Sequence, residues 1–238
     1  MSFMEYPEGP GPISKRRFSD MRVRMDCNSR QEEILRQLCD EIGADLVDAE
    51  IIDRSGLWMS GDKIIVKDDM YLIVQNFLIT AGPCCPLHYK WSTQVSTPYL
   101  TNDYFRFKIS CKGVLSSFGN PFATKNIEVR DPAIDREFII TGNDEKKVRR
   151  FFSNPKIKQL TLGLNKNRAG WNLEIIKAGS LHDKLPERIY ALRFMEYIDI
   201  IREVERLKSL LVLFKEMRDQ LLIMDSADTA HPNIVFAC

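Results

Sequence analysis

The sequence predicts an α+β protein in which a mainly antiparallel sheet packs against a long C-terminal helix. Apolar and polar residues alternate with the period of two that is typical of half-buried strands over residues 63–67, 105–111, 138–141 and 171–175. Residues 187–224 instead carry an apolar repeat of about 3.4 residues, which is typical of a helix. We expect about six or seven strands.

The composition indicates an ordinary soluble protein rather than a membrane or secreted one. The 238 residues carry a net charge of +1, and their charged fraction is 28%. No apolar run reaches the roughly 18 residues of a membrane span, and no apolar signal core follows the first basic residues. We therefore predict a cytoplasmic protein without a membrane span, with residues 29–224 forming a single domain between a flexible arm (1–28) and a tail (225–238).

The cysteines show neither the spacing of a metal site nor that of a disulfide framework. We expect free thiols in a reducing compartment, and we predict no metal and no cofactor. The pair Cys84 and Cys85, with His88 nearby, could suggest a metal, but His88 falls on the polar face of the following strand. The six cysteines are Cys27, Cys39, Cys84, Cys85, Cys111 and Cys238.

The first helix is predicted over residues 29–42. Ser29 and Glu32 form a capping box, an apolar stripe follows, and Gly43 ends the helix. This helix opens an acidic part of the chain, since residues 31–69 contain eleven acidic and four basic side chains. Residues 71–80 are apolar on both faces, as expected for a central strand.

Residues 131–155 combine a strand, a turn and the starts of two helices. Phe138 and Ile140 alternate with polar residues, and Gly142 and Asn143 supply a turn in which Asn143 is predicted to cap the next helix. Pro155 suits the first position of the second helix. These shorter helices are expected over residues 144–162.

This region resembles a bacterial family of uncharacterised proteins with the motif D-x-x-(aromatic)-D-x-x-F-x-(I/V)-x-G-x-D. The resemblance covers roughly residues 100–222 and implies a fold but no activity. Arg130 stands where a glycine is usual, and Ile134 stands where an aromatic residue is usual. The matching residues are Asp131, Asp135, Phe138, Ile140, Gly142 and Asp144.

Asp131 and Asp135 allow two interpretations. As a carboxylate pair they could act in acid–base chemistry or bind a metal, which would make the protein an enzyme with an unrecognised site. The alternative is that Asp131 bonds the turn backbone before Pro132 while Asp135 anchors the start of the strand. The chain offers no His, Cys or Glu partner at a useful spacing, so the second interpretation is favoured.

A basic run occupies residues 146–168, where eight basic residues and no acidic one occur. Such a run could be a solvated or internally paired face, could bind a protein partner, or could bind nucleic acid or another anion. The acidic segment 31–69 could pair with it within one molecule or between two. The candidate anion- or partner-binding residues are Lys146, Lys147, Arg149, Arg150, Lys156 and Lys158.

The C-terminal helix is predicted either to bend or to project and need a partner, because about 36 residues at 1.5 Å each span about 54 Å. That exceeds the diameter of about 45 Å expected for a compact chain of this size. The predicted partner-helix seam comprises Tyr197, Ile201, Val204, Leu207, Leu211 and Phe214. We therefore expect a non-catalytic interaction or structural protein that self-associates through this helix, with a protein partner or nucleic acid as alternatives.

Overall fold

A computed structural model of the chain confirms the α+β class. It describes residues 30–49, 62–68, 70–80, 89–112, 126–164, 170–177, 188–197, 200–230 and 232. The strands are β1 (Asp45–Ala49), β2 (Asp62–Lys67), β3 (Met70–Thr80), β4 (Tyr89–Leu100), β5 (Phe107–Cys111), β6 (Phe138–Gly142), β7 (Trp171–Lys177) and β8 (Ile189–Glu196). The helices are α1 (30–42), α2 (Pro132–Glu137), α3 (Glu145–Phe151), α4 (Pro155–Leu164) and α5 (Val204–Ile223).

These strands form one antiparallel sheet in the order β1-β2-β3-β4-β8-β7-β5-β6. Strands β1 to β4 follow one another as a meander, whereas β8 comes from much later in the chain and lies between β4 and β7. Strand β8 is therefore the only link between the two halves of the described sheet.

One face of the sheet carries the main hydrophobic core. Val95 of β4, Leu192 of β8 and Leu173 of β7 belong to a single cluster with buried side chains of the helices, among them Leu35 of α1 and Phe214 of α5. Burying a Leu or Phe side chain stabilises the folded state by about 1.5–3 kcal/mol, so this layer is the principal source of stability.

The opposite face of the sheet is buried but largely polar between β3 and β7. Arg193 Nε donates to Glu174 Oε1 at 3.0 Å, and Gln94 Nε2 donates to Gln75 on the next strand. Ser96 lies directly opposite Arg193 in the register, and its buried hydroxyl has no hydrogen-bond partner in the described structure. A buried hydroxyl without a hydrogen bond lowers the stability of the folded state, because the cost of removing it from water is not recovered.

The predicted helix over residues 187–224 is wrong in its first half. Residues 189–196 form strand β8, and α5 begins at Val204 and has 20 residues, or about 30 Å of length. Strand β8 is buried almost throughout, so its apolar residues are nearly continuous and do not show the alternation of a half-buried strand. At about 30 Å, α5 is shorter than the diameter of about 45 Å expected for the chain, so its length gives no reason to expect a partner.

Two local predictions around residue 140 also need correction. Residues 132–137 form the short helix α2 before the strand, a helix that was not predicted. Asp131 is its N-cap. Asp144, and not Asn143, caps α3, because its carboxylate accepts a hydrogen bond from the Lys147 N–H at 3.0 Å. The prediction that Pro155 opens the next helix is confirmed.

Candidate interaction surface

Three segments that are distant in the sequence meet at the carboxylate of Asp103. Lys147 of α3 forms an ion pair with Asp103 Oδ2, and the Ser226 hydroxyl donates to the same oxygen at 2.8 Å. The Phe105 N–H donates to Asp103 Oδ1 at 2.8 Å. Partial burial opposes ionisation, but these donors outweigh it and hold the pKa of Asp103 below its ordinary value. We call Asp103, Lys147 and Ser226 the clamp.

The described residues of the predicted tail dock on the sheet beside the clamp. Thr101 pairs with Ala227 in an isolated antiparallel bridge, and the Asn102 N–H donates to the Ser226 carbonyl at 3.1 Å. The Asp228 N–H donates to the Leu100 carbonyl at 2.8 Å. These bonds fix the end of α5 against the loop that leads from β4 to β5.

Asn143 fixes the other side of that loop. Its side-chain amide donates to the Tyr104 carbonyl at 2.6 Å, and its side-chain oxygen accepts from the Arg106 N–H at 2.8 Å. Gly142 allows the close approach, since a Cβ there would lie 2.9 Å from the Arg106 carbonyl oxygen. The backbone of residues 104–106 is therefore held rigidly on both sides.

Two large apolar side chains are exposed on the segments that meet at the clamp. Tyr104 is 79% exposed and Ile223, the last residue of α5, is 68% exposed. Arg150 of α3 lies beside Ile223, because its guanidinium donates to the Ile223 carbonyl at 3.3 Å. Lys146 is one helical turn before Arg150 and is exposed. We call Tyr104, Arg106, Lys146, Arg150 and Ile223 the interaction surface.

Some of the predicted basic residues are neutralised within the chain. Lys158 pairs with Asp131 at 2.7 Å, and Lys156 pairs with Glu216 of α5. Like Lys147 in the clamp, these lysines have most of their charge balanced by a neighbouring carboxylate.

The remaining basic residues of α3 differ among themselves. Arg149 pairs with Glu145 at 2.6 Å and donates to the Glu128 carbonyl at 2.9 Å. Lys146 and Arg150 have no carboxylate partner among the residues that the structure describes. Within the described part of the basic run, the free positive charge is thus concentrated at Lys146 and Arg150. Lys166 and Arg168 lie outside the described ranges.

Asp131 and Asp135 both act on the backbone around α2. Asp131 Oδ1 accepts from the N–H groups of Ala133 and Ile134 at 3.1 and 3.3 Å, and the Lys158 ammonium lowers its pKa. Asp135 Oδ1 accepts from the Val129 N–H at 2.9 Å, and its Oδ2 accepts from the Asp131 N–H at 3.1 Å. Asp131 thus bonds the turn backbone as expected, whereas Asp135 lies within α2 and bonds the backbone before that helix rather than the start of a strand.

The predicted seam residues contact the chain's own sheet. Ile201, Leu207 and Phe214 are fully buried in the main core. Val204 and Leu211 are half-buried against it, and Tyr197 precedes α5 and accepts a hydrogen bond from Asn172 at 2.5 Å. A second helix cannot reach the buried residues without displacing parts of the chain's own core.

Several predicted features fall outside the described residues. They are the arm 1–28 and the group of Cys84, Cys85 and His88. Within the described ranges, no group of three or more His, Cys, Asp or Glu residues is arranged to hold a metal ion. No helix in the same ranges is both long and apolar enough to cross a membrane.

Tyr104, Arg106 and Ile223 were not among the residues predicted to bind a partner. One signal was present, because Tyr104 is out of phase with the inward-facing Phe105 and Phe107 and therefore points outward. No comparable signal marks Ile223, since its exposure depends on where α5 ends.

Comparison of the sequence with protein-family models, and of the chain with curated proteins and with solved structures, finds no match. The resemblance to a bacterial family of uncharacterised proteins therefore stays a prediction.

Proposed function

We propose that this protein is a non-catalytic interaction module that binds an acidic protein segment through the interaction surface. The observation that carries this proposal is the exposure of Tyr104, whose backbone Asn143 fixes, and of Ile223, whose carbonyl Arg150 bonds. Aromatic and arginine side chains supply most of the binding energy in protein interfaces, and a preformed frame loses little entropy on binding.

The charge of the surface selects the partner. Arg106, Lys146 and Arg150 have no carboxylate partner within the described structure, whereas the neighbouring Lys147 and Arg149 do. Carboxylates on a partner would pair with the free cations, while an apolar side chain would cover Tyr104 or Ile223. A segment that mixes acidic and apolar residues fits both requirements.

Binding of nucleic acid is the second candidate, because Tyr104 is an exposed aromatic ring two residues from the exposed Arg106, and such a ring can stack on a base. The neutralisation of Lys147, Arg149, Lys156 and Lys158 by carboxylates reduces the field that would attract a phosphate backbone. Because few cations stay free, the surface suits a protein segment with a few carboxylates better than the many phosphates of a nucleic acid.

An enzymatic role around Asp131 and Asp135 is less well supported. Both carboxylates accept hydrogen bonds from backbone N–H groups, and Lys158 neutralises Asp131. A reacting group would have to displace bonds that hold α2 in place.

The buried free thiols of Cys39 and Cys111 suit a reducing, cytoplasmic compartment, which we include in the proposal.

Fluorescence anisotropy with two labelled probes tests the proposal. One probe is an acidic peptide of about 20 residues with interspersed leucines. The other is an oligothymidylate of about 20 nucleotides, which is long enough to fill a binding site for single-stranded nucleic acid. We expect tighter binding of the peptide, and a loss of about tenfold or more in the variant Tyr104→Ala. Peptide binding that Tyr104→Ala and Arg150→Ala leave unchanged would refute the proposal, and tighter binding of oligothymidylate would favour the second candidate.

A further inference from the structure

Helix α1 carries an acidic surface whose negative charge is opposite to the positive charge of the interaction surface. Glu33 and Asp40 are exposed and have no ion pair in the described part of the chain. Glu32 and Glu41, in contrast, are neutralised, by Arg36 at 2.6 Å and by Lys208 respectively. Free negative charge on α1 is therefore concentrated at Glu33 and Asp40, which lie two helical turns apart on one side.

This acidic surface also contains a shallow depression. Glu32, Glu33, Arg36, Gln37 and Asp40 line it, and it opens to solvent along α1. A phenol that entered the depression would have carboxylates and an amide within reach as acceptors for its hydroxyl. Tyr104 is the most exposed of the large hydrophobic side chains in the described structure, so its phenol is free to enter such a site on another molecule.

The two surfaces lie at opposite ends of α5. Lys208, in the first turns of that helix, pairs with Glu41 of α1, whereas Ile223 ends the helix beside Arg150. Fifteen residues of helix separate Lys208 from Ile223, which corresponds to about 22 Å. The free charges of one molecule are therefore too far apart to neutralise each other within that molecule.

The charge of the whole chain permits contact between copies. The formal net charge is only +1, so two molecules meet with little overall repulsion. Three free cations of one molecule, Arg106, Lys146 and Arg150, then face two free carboxylates of the next, Glu33 and Asp40. An association of this kind is head-to-tail and can continue along a chain of molecules.

We propose that the acidic partner of the interaction surface is a second copy of this chain, with Tyr104 of one molecule seated in the α1 depression of the next. The inference rests on the proposed function, because it names the partner of the same surface. It replaces the predicted self-association through the C-terminal helix, whose apolar residues are used by the core.

Sedimentation velocity on the full chain tests the inference. We expect the mean mass of the wild type to rise with protein concentration at about 50 mM salt and to return to that of the monomer near 0.5 M salt, where screening is much stronger. The double variant Lys146→Ala/Arg150→Ala and the double variant Glu33→Gln/Asp40→Asn should each weaken association by roughly tenfold. The charge-matched control Arg136→Ala/Lys215→Ala alters exposed cations outside both surfaces and should associate like the wild type.

Mixing the two double variants gives the decisive result. The first keeps an intact acidic surface and the second keeps an intact basic one, so an equal mixture should form a 1:1 dimer with the wild-type affinity and no larger species. A wild type that stays monomeric at low salt up to about 1 mM, or association that neither double variant weakens, would overturn the inference. The same holds for a mixture that fails to form the dimer.

The outcome for self-association is separable from that for the proposed function. A monomeric wild type that still binds the acidic peptide through Tyr104 and Arg150 would retain the proposed function and remove the second copy as partner. Binding of neither the peptide nor a second copy would remove both.

Discussion

Replacing Gly142 with alanine should lower the free energy of unfolding by about 1–3 kcal/mol, the usual effect of adding a methyl group where there is no room. A Cβ at this position would lie 2.9 Å from the Arg106 carbonyl oxygen and 2.9 Å from Val148 Cγ2. Ordinary contacts between such atoms are about 3.5–4 Å. Neither neighbour can retreat freely, because the Asn143 N–H bonds the carbonyl at 3.1 Å and Val148 is fully buried.

Gly163 provides a matched control with the same change of side chain. It lies in the last turn of α4, and a Cβ there would meet nothing within 4 Å. Gly163→Ala should therefore raise the free energy of unfolding by about 0.5–1 kcal/mol, because alanine favours the helix and restricts the unfolded chain.

Urea titration followed by circular dichroism measures both changes against the wild type. A thermal scan should show the same order, with a shift of roughly 2–4 °C for each kcal/mol in a domain of this size. If Gly142→Ala unfolds together with the wild type, or if Gly163→Ala loses as much stability as Gly142→Ala, the inference from the close contacts is wrong.

Three further changes test other parts of the structure. Arg130 has a φ of +62°, so Arg130→Gly should raise the free energy of unfolding by about 0.5 kcal/mol, and a clear loss in urea titration would contradict this. Ser96→Ala removes an unsatisfied buried hydroxyl and should be neutral or stabilising by up to about 1 kcal/mol in the same assay, whereas a large loss would show that the hydroxyl has a partner. Because the pKa of Asp103 is lowered from 3.8 in the folded state, its contribution is complete above about pH 5 and is lost as the pH falls through the lowered value. Unfolding titrations between pH 7 and pH 2 should therefore show a smaller acid-induced loss in Asp103→Asn than in the wild type, and equal losses would exclude this contribution.

Much of the sheet can be predicted from alternation alone. Residues 107–111 and 171–177 each place apolar side chains toward the core at every second position, because one face of these strands is less apolar than the other. Strand β8 gives no such signal, since both of its faces are buried. Tyr197 and Ile201 then continue the helical spacing by coincidence, although neither lies in α5.

The interaction surface is harder to predict because long-range contacts create it. Asp103 and Ser226 are separated by 123 positions in the sequence, and the carboxylate of one meets the hydroxyl of the other. Which cations of the basic run stay free also depends on distant carboxylates, such as that of Glu216 beside Lys156. Local patterns describe each segment but contain no information on these pairings.

The central position of β8 has a consequence for synthesis of the chain. The meander β1–β4 can pair as soon as it is made, but β4 and β7 each keep an unpaired edge until residues 189–196 leave the ribosome. Exposed strand edges recruit other chains, so this interval is when the nascent protein is most prone to aggregate. A chain terminated before residue 189 would keep both edges permanently and should accumulate as insoluble material, even though most of its residues are present.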